Sequence, residues 1–258
     1  MKKIIYLCLM AVGLIGFVIF LSTIIGFKPH DYFYIQNPDI QKYVGVNVVS
    51  AFATFSFFTY HSLILFSLWL IAYGFANLLK KDKWIKSLSK SSVVAFICFN
   101  FFITCILYTL FELTSGNPTF GFYANTPDGI YNLILNLVVH YLFSALALIV
   151  FLKIKTSDAN SGKINGKKAL RALILPSKYL AIYYVLVKIT GMHCYKIEWY
   201  PYPIFDLSSF GALLGITDKK ILTLSLLIFV LITVLFLYCL FYILLINHKR
   251  KISRNKTR

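Results

Sequence analysis

Acidic residues are scarce in this chain. Nine Asp and Glu stand against 26 Lys and Arg in 258 residues, and charged residues of both signs make up only 14%. A soluble domain carries roughly 25%, so an ordinary water-soluble globule is excluded. Cysteine offers no framework either. Cys8, Cys98, Cys105, Cys194 and Cys239 show no C-x-x-C spacing and no cluster of neighbouring ligands, which argues against a zinc module or a disulfide scaffold. All but Cys194 fall in apolar stretches and read as small residues packing between helices. No metal and no cofactor is expected. Also missing is the alternation of apolar and polar residues over segments of about ten that a membrane β-barrel needs. No heptads, short-period repeats or clear inverted repeat can be found, and no polar linker is long enough to hold a second fold.

What the chain has instead is apolar residues in long blocks: 59% of residues are hydrophobic and the mean hydropathy is +0.75. About 20 apolar residues cross the roughly 30 Å hydrocarbon layer as a helix. Six such blocks occur, at residues 4–27, 46–79, 93–113, 130–152, 169–189 and 221–246. The expected fold is therefore all-α, a polytopic transmembrane bundle of about six spans forming a single integral membrane domain. The second block exceeds one perpendicular crossing and either tilts or begins outside the membrane. Arg171, Pro176 and Lys178 make the fifth the weakest, with Pro176 expected to kink it without ending it. The first block follows a basic Lys2-Lys3 start, but it is longer than a signal-peptide core and lacks a small-residue cleavage site, so it reads as a retained helix.

The formal charge of +17 would suggest nucleic acid in a soluble chain. Its distribution assigns it to the membrane. Lys2 and Lys3 precede the first block, and Lys80, Lys81, Lys83, Lys86 and Lys90 follow the second. Lys153, Lys155, Lys163, Lys167 and Lys168 follow the fourth, and Lys249, Arg250, Lys251, Arg254, Lys256 and Arg258 follow the sixth. Every second connection is basic, which by the positive-inside rule places both termini in the cytoplasm. The localisation expected is the cytoplasmic membrane, with membrane lipids as partners and no nucleic acid; the pattern does not set an oligomeric state.

Polar side chains inside such spans are costly and mark candidate sites. In the second block Ser56, Thr59 and Ser62 are spaced by three and share a helix face, whereas His61 points elsewhere. In the fourth, Asn136, His140 and Ser144 are spaced by four and form one stripe, which should face other helices. Both spans run inward under the topology above. At about 1.5 Å per residue, Thr59 lies roughly 18–20 Å and His140 roughly 15 Å below the start of its span, so the two can meet near mid-membrane. A hydroxyl beside a histidine is the minimum for nucleophilic catalysis. The same residues also fit interhelical hydrogen bonding with no chemistry at all. A third place is the outer segment Trp199-Tyr200-Pro201-Tyr202-Pro203-Ile204-Phe205-Asp206. Its prolines exclude regular helix and its aromatics suit the membrane interface. It reads as a rigid loop over the mouth of the bundle, with Asp206 able to accept a bond there.

These three places resemble the bacterial Pr6Pr membrane proteins, relatives of the androgen-induced and androgen-dependent membrane proteins of animals. The family pattern has F-T-x-x-S-N in an early span, H-Y-x-x-P in a middle span and a Y-P-Y-P-F-x-D loop before the last. Here these read Phe58-Thr59-Tyr60-His61-Ser62-Leu63, then His140-Tyr141-Leu142-Phe143-Ser144, then Tyr200-Pro201-Tyr202-Pro203-Ile204-Phe205-Asp206. Thr190-Gly191-Met192 adds to the likeness, and the six-span layout extends it over most of the chain. Animal members are membrane hydrolases of fatty acid esters of hydroxy fatty acids that use a threonine and a histidine. The resemblance thus implies Thr59 as nucleophile and His140 as base, with a lipid ester as substrate. Leu63 replaces the pattern's Asn and Ser144 its Pro, and a fold can outlast its activity. The alternative expectation is a non-catalytic membrane protein that binds or transports a lipid or small molecule.

Overall fold

The computed structural model of the protein describes residues 2–26, 58–114, 134–158 and 166–189, with 228, 232–244, 246 and 247. Among these residues the structure is all-helical. The elements are α1 (Lys2–Gly26), α2 (Phe58–Leu78), α3 (Asp82–Leu88) and α4 (Ser91–Thr114). A span over Ile134–Lys153 follows, whose middle is a π-helical turn, Val138–Leu142, leading into α5 (Phe143–Lys153). Then come α6 (Gly166–Ile189) and α7 (Ile232–Leu244). Among the described residues three stretches are long and apolar enough to cross a membrane, Lys3–Ser22, Thr59–Leu78 and Ile134–Lys153. A fourth candidate is bent: α3 and the first part of α4 meet at 50°.

The first, third and fourth expected spans have their helices, and α6 continues past Pro176, which does not end the fifth, as expected. The described part of the second span begins at Phe58, and in the sixth the described residues are 228, 232–244 and 246, with the helix over Ile232–Leu244. Residues 46–57 and 221–227 lie outside the described residues. The segment from Trp199 to Asp206, with Tyr200, Pro201, Tyr202 and Pro203, lies outside them too, as do Ser56 and Cys194. Cys98 is buried as expected of a packing residue, whereas Cys8 is exposed on α1.

The chain forms two compact units. One contains residues 1–18, 59–165 and 241–258, and the other 19–58 and 166–240. In the second unit, Tyr179 and Tyr183 stack one turn apart on α6, with centroids 6.4 Å apart.

The first unit is held by close helix crossings and an aromatic core. A Cβ at Gly13 would lie 2.7 Å from the Ser67 carbonyl oxygen, and one at Gly74 would lie 2.8 Å from that of Tyr6. The two backbones therefore approach as only small residues permit, the usual device where lipid supplies no hydrophobic drive for association. Tyr6 also meets Tyr73 edge-on at 6.4 Å. Residues early in α1 thus face the end of α2 and later ones its middle, so the two helices are antiparallel. Phe66, Phe101 and Phe143 close the core where α2, α4 and α5 meet, with centroids 5.2–6.4 Å apart. Phe241 lies over Phe99, Phe102 and Phe151.

One end of this unit is tied together by hydrogen bonds. Helix α2 ends in a left-handed residue, Lys80 (φ 54°). Lys81 N–H donates to the Ala76 carbonyl at 2.9 Å and Lys80 N–H to that of Asn77 at 3.3 Å, the pairing of a Schellman cap. Trp69 Nε1 donates to the Leu88 carbonyl at 3.0 Å and fixes α3 against α2. The chain beyond α5 then returns to the same place. Ser157 donates its N–H to Ser89 O (2.9 Å) and its hydroxyl to Lys86 O (2.8 Å). Asp158 accepts from both the N–H (2.8 Å) and the hydroxyl (2.5 Å) of Ser91. A carboxylate at the first residue of α4 satisfies an orphan donor and complements the helix dipole.

Candidate functional site

Helices α2 and α4 run antiparallel, and their polar contact forms deep in the unit. Trp69 reaches the Leu88 carbonyl just before α4, Phe66 meets Phe101, and the Ser62 and Thr104 hydroxyls share a hydrogen bond of 3.2 Å. Thr104 also donates to the Asn100 carbonyl at 2.7 Å, the local bond expected of a hydroxyl in an apolar helix. One turn further along α4, Tyr108 lies flat on His140, with centroids 3.8 Å apart and planes inclined by 11°. Thr59 lies one turn before Ser62 on α2. By the same antiparallel register it belongs to the level of Tyr108 and His140. Thr59, Ser62 and His140 are all buried.

His140 sits inside the π-helical turn Val138–Leu142. Regular α-helix was the sequence expectation, and periodicity carries no mark of this widening. A π turn is rare, is usually a single insertion within an α-helix and is frequent at functional sites. It also changes the polar stripe. His140 stacks on Tyr108, its neighbour Tyr141 shares a 3.2 Å hydrogen bond with Thr109, and the Ser144 hydroxyl donates to the Phe101 carbonyl at 3.0 Å. Two consecutive residues of the turn, His140 and Tyr141, thus both meet α4. Asn136, the first member of the expected stripe, is half-buried, as is His61.

The His140 Nδ1 atom is buried and has no hydrogen-bond partner among the described residues, so the Thr59 hydroxyl is not bonded to that nitrogen. The Asn100 side-chain nitrogen and the Ser67 hydroxyl are likewise buried without one. Asn100 and Tyr108 are participants that sequence reading missed. Their signal was present: Asn100, Thr104 and Tyr108 recur every four residues along α4 and form one polar stripe. Among the described residues no group of three or more His, Cys, Asp or Glu could hold a metal ion. The chain matches no family model, no curated protein and no solved structure.

Proposed function

We propose that this is a multi-pass protein of the cytoplasmic membrane, with about six spans and both termini inside, that hydrolyses a lipid ester through Thr59 and His140. It would then stand with the Pr6Pr proteins it resembles. The topology draws support from the tied end of the first unit. There the start of α1, the lysines around α3, and Lys153 and Lys155 are gathered at one end, as the positive-inside rule asks of cytoplasmic segments.

The observation that carries the catalytic reading is the state of His140, a buried ring stacked flat on Tyr108 in a widened helical turn with one nitrogen unsatisfied. A structural histidine in hydrocarbon normally bonds its polar atoms, because an unmade bond there costs about 1–3 kcal/mol. In the proposed reaction the Thr59 oxygen bonds to the ester carbonyl carbon while its proton passes to His140. That proton then leaves with the departing alcohol. Water, losing a proton to the same ring, cleaves the acyl-threonine, releases the fatty acid and restores the hydroxyl.

Purified protein should release fatty acid from a lipid ester and become labelled by a probe that acylates hydroxyl nucleophiles. Thr59→Ala should abolish the labelling, and His140→Ala should reduce it by several orders of magnitude, since members of such a unit fail together. His61→Ala should retain most activity. Unchanged turnover in Thr59→Ala would end the enzymatic reading.

One observation favours the second reading, a non-catalytic binder or carrier of lipid or small molecules. Among the described residues nothing bonds Nδ1, so none of them is the third group that orients the base in triad enzymes. In that case the free nitrogen and the Asn100 amide would receive the polar group of the bound molecule. Binding would then persist in Thr59→Ala without turnover.

A further inference from the structure

The connection between α2 and α4 is more than a basic loop. Residues 80–90 carry Lys80, Lys81, Lys83, Lys86 and Lys90 with a single acid, Asp82. These lysines are all exposed, and Lys153 and Lys155 add two more exposed cations from the end of α5. The other acid at this end, Asp158, is engaged by Ser91. Trp84 projects from the middle of α3 and is 56% exposed.

The platform is rigid. Trp69 holds the end of α3 from α2, and Ser157 holds Lys86 and Ser89 from the segment after α5. The 50° bend turns α3 away from the axis of α4. Ile85 and Leu88 are half-buried, three residues apart on one side, while Lys83 and Lys86 share another at helical spacing and Lys90 follows just beyond the end of the helix. An exposed indole among lysines at the end of an apolar bundle is the arrangement of a membrane interface. The ring settles at headgroup level, and ammonium groups there attract anionic lipid.

We infer that α3 and its flanking lysines form a binding site for the phosphate headgroup of an anionic phospholipid, with Trp84 as its interfacial anchor. The phosphate would sit among Lys83, Lys86 and Lys90, and the acyl chains would run along the exposed apolar side chain of Leu79. The inference rests on the membrane reading and is independent of any catalysis.

The test uses the full-length protein in vesicles and reads tryptophan quenching by brominated phosphatidylglycerol against brominated phosphatidylcholine at equal mole fraction. Stronger quenching by the anionic lipid is expected. The excess should disappear in Trp84→Phe and in the combined variant Lys83→Gln, Lys86→Gln and Lys90→Gln, whose size-exclusion profile reports that folding is intact. It should fall with added salt and should withstand added glycerol phosphate, which separates a lipid site from a free-phosphate site. Equal quenching by the two lipids overturns the proposal, as does an excess that survives Trp84→Phe. Quenching by neither lipid, with no co-sedimentation with vesicles, would instead overturn the membrane reading itself.

Discussion

At the scale of single residues, two positions carry testable strain or support. Lys80 occupies the left-handed conformation that costs a side-chain-bearing residue about 1–2 kcal/mol and that glycine adopts freely. Lys80→Gly should therefore raise stability by about 1 kcal/mol, measured by thermal unfolding of the protein in detergent; a fall would mean that the lysine side chain contributes more than its backbone costs. Tyr108 is the ring on which His140 lies. If His140 is the base, Tyr108→Leu should slow turnover by up to about tenfold, in keeping with about 0.5–1.5 kcal/mol for an aromatic stack. Tyr108→Phe, which keeps the stack and loses only the hydroxyl, should stay near wild type. Equal losses in the two variants would assign the effect to the hydroxyl.

At the scale of elements, the α1–α2 crossing depends on Gly13 and Gly74. Gly13→Ala places a methyl group 2.7 Å from a backbone oxygen, and the rearrangement it forces should cost about 1–3 kcal/mol. A shift in the thermal midpoint would report it, and an unchanged midpoint would show the crossing to be loose. Composition alone reveals that α1, α2 and the Ile134–Lys153 span exist, because runs this apolar have few other uses. It does not reveal which faces meet. Gly13 and Gly16 look unremarkable among leucines until the Ser67 carbonyl is seen beside the first and the Ser67 hydroxyl and Phe143 ring beside the second. The π turn is hidden for a related reason. A widened turn keeps the same apolar residues as an α-helix, so Val138 to Leu142 read as ordinary span. Thr59, Ser62 and His140 were legible because a polar atom in an apolar block stands out. Asn100, Thr104 and Tyr108 carry the same mark on α4, but they were legible only as a stripe and only once a partner was known. The short α3 was hidden within a lysine-rich connection whose composition suits a loop equally well.

At the scale of the whole molecule, a reporter placed in residues 156–168 or after Arg258 should lie in the cytoplasm, and one near Thr119 should lie outside. Finding the first two on opposite sides would exclude the six-span topology. The bonds from Ser157 and Asp158 to Lys86, Ser89 and Ser91 also set an order of events during synthesis. Asp158 lies 67 residues beyond Ser91, which at ~5–20 residues per second corresponds to roughly 3–13 s of elongation. For that interval α4 has begun without its carboxylate, and the hinge with α3 is held from only one side. A nascent chain stalled before residue 157 would therefore present an unfastened end to the machinery that inserts it and to the proteases that inspect it.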